Sequence, residues 1–135
     1  MRRYTLVFLL FTFNFLLAQK KPLDHTVYDS WQSIGERMIS NDGKWVVYTI
    51  NVQEGDNELV IQSSDAKYKK SVPRGYSAAI SEDNRFAIFK IKPVYKDTRE
   101  ARIKKKKPDD MPKDSFAVIE LGKDSVYKAA KVKTY

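Results

Sequence analysis

One internal echo limits what this chain can fold into. Residues 39–50 read I-S-N-D-G-K-W-V-V-Y-T-I, and residues 80–91, which lie 41 positions later, read I-S-E-D-N-R-F-A-I-F-K-I. Ile39, Ser40, Asp42 and Ile50 recur as Ile80, Ser81, Asp83 and Ile91. Lys44, Trp45, Val47 and Tyr48 keep their chemistry in Arg85, Phe86, Ile88 and Phe89. Each copy puts an Asp-rich turn ahead of a β-branched and aromatic run, the composition of a buried strand. A period of roughly 40 residues between strand-like segments predicts the blades of a β-propeller. Asn84 stands where Gly43 stands. Both tolerate the left-handed backbone region, so the turn geometry repeats even where the residue changes.

Strands are expected around this echo at 36–40, 44–52, 59–62 and 68–72, then again at 76–81, 85–92, 116–121 and 126–132. The last two strands of the second set are aligned by matching Ala117-Val118-Ile119 to Leu59-Val60-Ile61, Tyr127 to Tyr68 and Tyr135 to Tyr76. The offset then grows from 41 to about 59, which marks an insertion at 93–114. Insertions in repeat folds map to loops. Residues 98–107 hold good helix formers, so a short helix is expected there, capped by Asp97 or Thr98 and ended by Pro108. The fold class is therefore all-β: about two four-stranded blades of an incomplete propeller with one Lys-rich insertion. The first blade covers about 34–73 and the second about 74–135. A self-contained two-sheet protein made by duplication is the competing architecture. Stacked repeats usually need at least three units, which favours the incomplete propeller and leaves an open edge able to self-associate.

The start of the chain is a different kind of sequence. Arg2 and Arg3 precede an apolar run over residues 6–17, and Ala18 comes before a polar stretch. This is the layout of a secretory signal peptide over residues 1–18. The apolar run is shorter than the ~20 residues a spanning helix needs, so no membrane span is expected after cleavage. The rest is expected to be periplasmic or secreted. Residues 19–33 form an approach segment in which Val27, Tyr28 and Trp31 have the spacing of a helical turn and are expected to tuck against the sheet.

Composition narrows the chemistry. The 135 residues include no cysteine and one histidine, His25. Disulfides, thiolate metal sites and a cysteine nucleophile are thereby excluded, and His25 reads as a surface residue. No G-x-S-x-G elbow, paired metal ligands or phosphate-binding glycine loop occurs. No catalytic, cofactor-binding or metal-ligating residue is assigned, and no cofactor is expected. Asp109-Asp110 and Glu82-Asp83 read as turn chemistry. The net charge of +8 is concentrated: residues 92–113 alone carry nine basic and four acidic residues. Lys104, Lys105, Lys106 and Lys107 could attract an anionic surface. A block of like charge in an exported protein reads first as a solvated loop, and aromatic interleaving for base stacking is missing, so no nucleic acid is expected.

The signal peptide, the stretch K-K-P-L-D-H-T-V-Y-D-S-W-Q-S-I-G-E-R-M-I-S-N-D-G-K-W-V-V-Y-T-I and the insertion Y-K-D-T-R-E-A-R-I-K-K-K-K-P-D-D-M-P-K-D together resemble the start of exported prolyl oligopeptidase-family serine peptidases of Bacteroidetes-type bacteria. The resemblance runs over essentially the whole chain. It implies an N-terminal β-propeller that gates a C-terminal α/β-hydrolase domain, where the Ser-Asp-His triad resides and short peptides are cleaved. No triad position exists among these residues to carry over. The paired glutamates with which dipeptidyl-peptidase members hold a substrate amino terminus have no match, since Glu100 in R-E-A-R lacks an acidic neighbour. The expected role is thus a gate or scaffold for a peptidase. An envelope propeller that binds a partner without peptidase activity is the alternative.

Overall fold

The computed structural model describes Tyr28 and residues 31–130. The signal segment, His25 and Tyr135 lie outside the described residues. Eight strands form two antiparallel four-stranded sheets, each a simple meander. Sheet one holds β1 (Gln32–Ile39), β2 (Trp45–Val52), β3 (Glu58–Ser63) and β4 (Lys69–Pro73). Sheet two holds β5 (Gly75–Ile80), β6 (Phe86–Ile91), β7 (Ser115–Glu120) and β8 (Val126–Ala129). Strands stand within a few residues of the expected places. The largest difference is β1, which starts at Gln32, inside the expected approach segment, because Gln32 pairs with Val52 at the far end of β2. Tyr28 and Trp31 do not tuck against a sheet. They are 42% and 54% exposed, and their rings meet each other edge to face at 4.9 Å.

The pairing corrects the internal alignment. Trp45 pairs with Ser63 and Val47 with Ile61, while the repeat partners Phe86 and Ile88 pair with Glu120 and Val118. Ile61 therefore corresponds to Val118, and Leu59 to Phe116. The expected match of Leu59-Val60-Ile61 to Ala117-Val118-Ile119 is one residue out of register. A slip of one reverses every side chain in a strand, so the match by residue type placed the wrong faces together. β4 is shifted likewise: Ile61 pairs with Lys70 and Val118 with Tyr127, so Tyr127 corresponds to Lys70 and not to Tyr68.

With the register settled, each sheet has a front and a back. The front of sheet one carries Trp45, Val47, Thr49, Leu59, Ile61 and Val72. The buried cluster joins Val47, Leu59, Ile61 and Val72 to Ala87, Phe89, Ile91, Ala117 and Ile119 of sheet two. By repeat position these sheet-two residues belong to its back. The two sheets thus stack front to back, not front to front. Polar contacts reinforce the stack. The Asn41 N–H donates to Asn84 Oδ1 (3.0 Å), Ser77 N–H to Glu36 Oε2 (2.7 Å) and the Tyr68 hydroxyl to the Lys123 carbonyl (2.6 Å).

The insertion holds a helix, α1 (Tyr95–Ile103), and a single 3₁₀ turn, Pro108–Asp110. The helix begins earlier than expected and neither Asp97 nor Thr98 caps it. Asp56, in the β2–β3 turn, accepts the Tyr95 N–H at 2.9 Å and does the work of a cap from 39 positions away. The helix also ends four residues short of the expected Lys107. Lys105 takes φ 51°. Its N–H donates to the Arg102 carbonyl and that of Lys106 to the Ala101 carbonyl, at 2.9 and 3.0 Å. Those two bonds are the Schellman closure of a helix C-terminus.

Candidate functional surfaces

The two ends of the sheets differ in chemistry. At one end, three turns share one hydrogen-bond plan. The Ser40 hydroxyl donates to Asp42 Oδ1 (2.6 Å) and accepts the Trp45 N–H (2.9 Å), while Asp42 also accepts the Lys44 N–H (3.1 Å). Ser81 and Asp83 repeat this with Phe86 and Arg85, at 2.5, 3.0 and 3.2 Å. Ser63 and Asp65 repeat it a third time with Tyr68 and Lys67, at 2.6, 2.9 and 3.2 Å. The residue after each Asp is left-handed: Gly43 at φ 70°, Asn84 at 55° and Ala66 at 59°. The third copy is legible as S-x-D-x-K-aromatic, but alanine at the left-handed position hides it from a search for Gly or Asn.

These Ser–Asp pairs invite comparison with nucleophile and base, and the electrostatics argue against it. The serine hydroxyl, followed by the backbone N–H, holds each of Asp42, Asp65 and Asp83 below the ordinary carboxylate value. A carboxylate so stabilised is a weaker base. Each hydroxyl is committed to closing its turn. The expectation of turn chemistry at Glu82-Asp83 thus agrees with the geometry, and Asp109-Asp110 likewise sits in the 3₁₀ turn.

At the opposite end the insertion roofs a cleft of about 590 Å³ over the β2–β3 turn and the end of β5. Its walls are cross-linked. The Tyr95 hydroxyl donates to Glu54 Oε1 (2.6 Å), and the Tyr76 hydroxyl donates to the Asp114 carboxylate. Lys92 Nζ lies 5.0 Å from the centre of the Tyr76 ring. Arg99 and Arg102 line the cleft from α1. The Glu54 carboxylate holds the Tyr95 phenol above its ordinary value, with burial adding to the effect. The phenol therefore stays protonated at neutral pH and acts as a hydrogen-bond donor. Such a lining suits positioning of a polar ligand by hydrogen bonds and guanidinium charge. Sequence reading missed this cleft, because Glu54 and Tyr95 are 41 positions apart and no local pattern links them.

The Lys104–Lys107 run lies at the C-terminus of α1, where cations complement the helix dipole. Lys104 pairs loosely with Glu100 at 3.8 Å. Glu100 thus takes part in an i,i+4 pair. Among the described residues no group of three or more His, Asp or Glu is placed to hold a metal, and no helix is long and apolar enough to cross a membrane.

No family model, curated protein or solved structure matches this chain.

Proposed function

We propose that the two sheets are successive blades of a β-propeller that scaffolds and gates an exported serine peptidase of the prolyl oligopeptidase type. One observation carries the architectural part: the sheets stack front to back. Blades around a propeller axis must meet that way, because a single repeated unit can close a ring only if its front fits its own back. A duplicated two-sheet sandwich would instead be free to bury like faces together. The peptidase part rests on the resemblance of the N-terminal stretch and the insertion, and the exported address on residues 1–18. In this reading hydrolysis belongs to an α/β-hydrolase domain, with acyl transfer through a serine ester. The propeller contributes a size filter for peptides, and the cleft beneath α1 lies on its rim.

The test is the reading frame around these 135 codons. In-frame or singly frameshifted sequence encoding further blades and then G-x-S-x-G several hundred codons downstream is the expected result. Further blades followed by a stop, with no hydrolase signature, would replace the peptidase with an envelope binding scaffold. A frame with neither would remove both the propeller and the peptidase.

A further inference from the structure

Arg99 and Arg102 are three positions apart on α1, and both line the cleft that the insertion roofs. The ion pairs of the insertion are made by lysines, Lys104 with Glu100 and Lys113 with Asp109. Arg99 and Arg102 take part in none among the described residues. Like charges three or four positions apart on a helix repel each other, so an anion between these two would relieve that repulsion. The carboxylates beside them are already engaged. Glu54 accepts the Tyr95 hydroxyl, Asp56 the Tyr95 N–H and Asp114 the Tyr76 hydroxyl. The Glu54 hydrogen bond and burial raise the Tyr95 phenol, and the charges of Arg99 and Arg102 act against them, which places both guanidiniums near that hydroxyl.

We infer that this cleft binds the C-terminal carboxylate of a short peptide whose last residue is apolar. A guanidinium fork receives a carboxylate through two parallel N–H bonds. Lys92 joins the two arginines, so three cations stand against the three engaged carboxylates. That balance suits one negative charge better than the double charge of a phosphate monoester. Pro93, Met111 and Pro112, all half-buried, give the cleft an apolar wall for the last side chain. Its volume of about 590 Å³ is in the range of sites for small organic ligands. The inference goes beyond the blade and peptidase reading and does not rest on it. The cleft is assembled at the turn end of the sheets, whereas further blades would stack on their faces.

Isotope-edited NMR titration tests this on the chain purified from cells expressing all 135 residues. The probes are N-acetyl-alanyl-alanyl-leucine, its C-terminal amide, isocaproate and inorganic phosphate. The peptide acid should shift the amide signals of Gly55 and Asn57, which line the cleft, to saturation. The amide should bind about tenfold or more weakly. Arg99→Gln and Arg102→Gln, at exposed positions where folding should be spared, should each weaken the peptide acid about tenfold. Circular dichroism and the melting temperature verify the fold. A Lys106→Gln, Lys107→Gln double variant should keep the wild-type affinity, because those lysines do not line the cleft. Isocaproate bound as tightly as the peptide would overturn the peptide as the occupant and leave a free organic acid. Phosphate bound more tightly would overturn the carboxylate. An amide that binds equally, a double variant weakened as much as the arginine variants, or no saturable shift would each overturn the site. None of these outcomes bears on the blades or the peptidase, which the reading frame decides.

Discussion

At the scale of single residues, the most informative groups are Asp42, Asp65 and Asp83. Each accepts a serine hydroxyl and a backbone N–H, and each is held below its ordinary value of 3.8. The unfolded chain binds protons at these sites more readily than the folded one. Their contribution to stability is therefore present above the unfolded value and is lost as pH falls through the lower, folded value. The urea midpoint should stay flat from neutral pH down to about 4 on account of these groups and fall below that. Asp42→Asn should flatten part of the fall. An acid limb of unchanged steepness in the variant would show that the turn carboxylates do not drive it. Two of these turns could be read directly, since Asp-Gly and Asp-Asn announce left-handed positions. The third, over Ser63–Ala66, was legible as a turn from its polar residues, but its left-handed position was not, since Ala66 adopts that backbone without a residue type that favours it.

At the scale of elements, the join between the sheets depends on Gly75. A Cβ there would lie 2.5 Å from Leu59 Cβ and 3.3 Å from the Val72 carbonyl oxygen. The Gly75 carbonyl accepts the Asn57 side-chain N–H at 2.5 Å, and Asn57 is only 8% exposed. Gly75→Ala must push β5 away from β3 and strain that bond. It should cost about 1–3 kcal/mol in denaturant titration, as overpacked core sites do. A neutral result would mean the sheets separate there at no cost. Most strands could be placed from composition, because a buried meander strand is a short β-branched run between turn residues. The limits of α1 could not, because its first N–H is satisfied by Asp56 from another turn and its end is set by Lys105 in a conformation unusual for lysine.

At the scale of the molecule, one buried cluster unites the sheets, and Phe89 is its largest fully buried side chain. Phe89→Ala should lower the unfolding free energy by about 3–5 kcal/mol, the cost of removing a core aromatic and leaving a cavity. Tryptophan fluorescence, with Trp45 in sheet one, should report the loss even though the substitution is in sheet two. If the Trp45 signal keeps its wild-type midpoint, the sheets unfold independently and the shared core has no energetic weight. The candidate cleft also exists only at this scale, assembled from the β2–β3 turn, β5 and the insertion.

The sequence by itself determined that there are two repeats, that each is a set of short strands, and where the Asp turns reverse the chain. These are local properties: side-chain shape, backbone preference and the spacing of apolar runs. Tertiary structure alone decided which face of each strand is buried. That choice depends on pairing register, and Leu59-Val60-Ile61 and Phe116-Ala117-Val118-Ile119 are apolar on both faces, so neither alternation nor residue identity could set it. The echo at residues 39–50 and 80–91 thus established that the unit repeats. The pairing of Val47 with Ile61 and Ile88 with Val118 established how one unit sits on the next, because strand side chains alternate with a period of two and a single slip exchanges front for back.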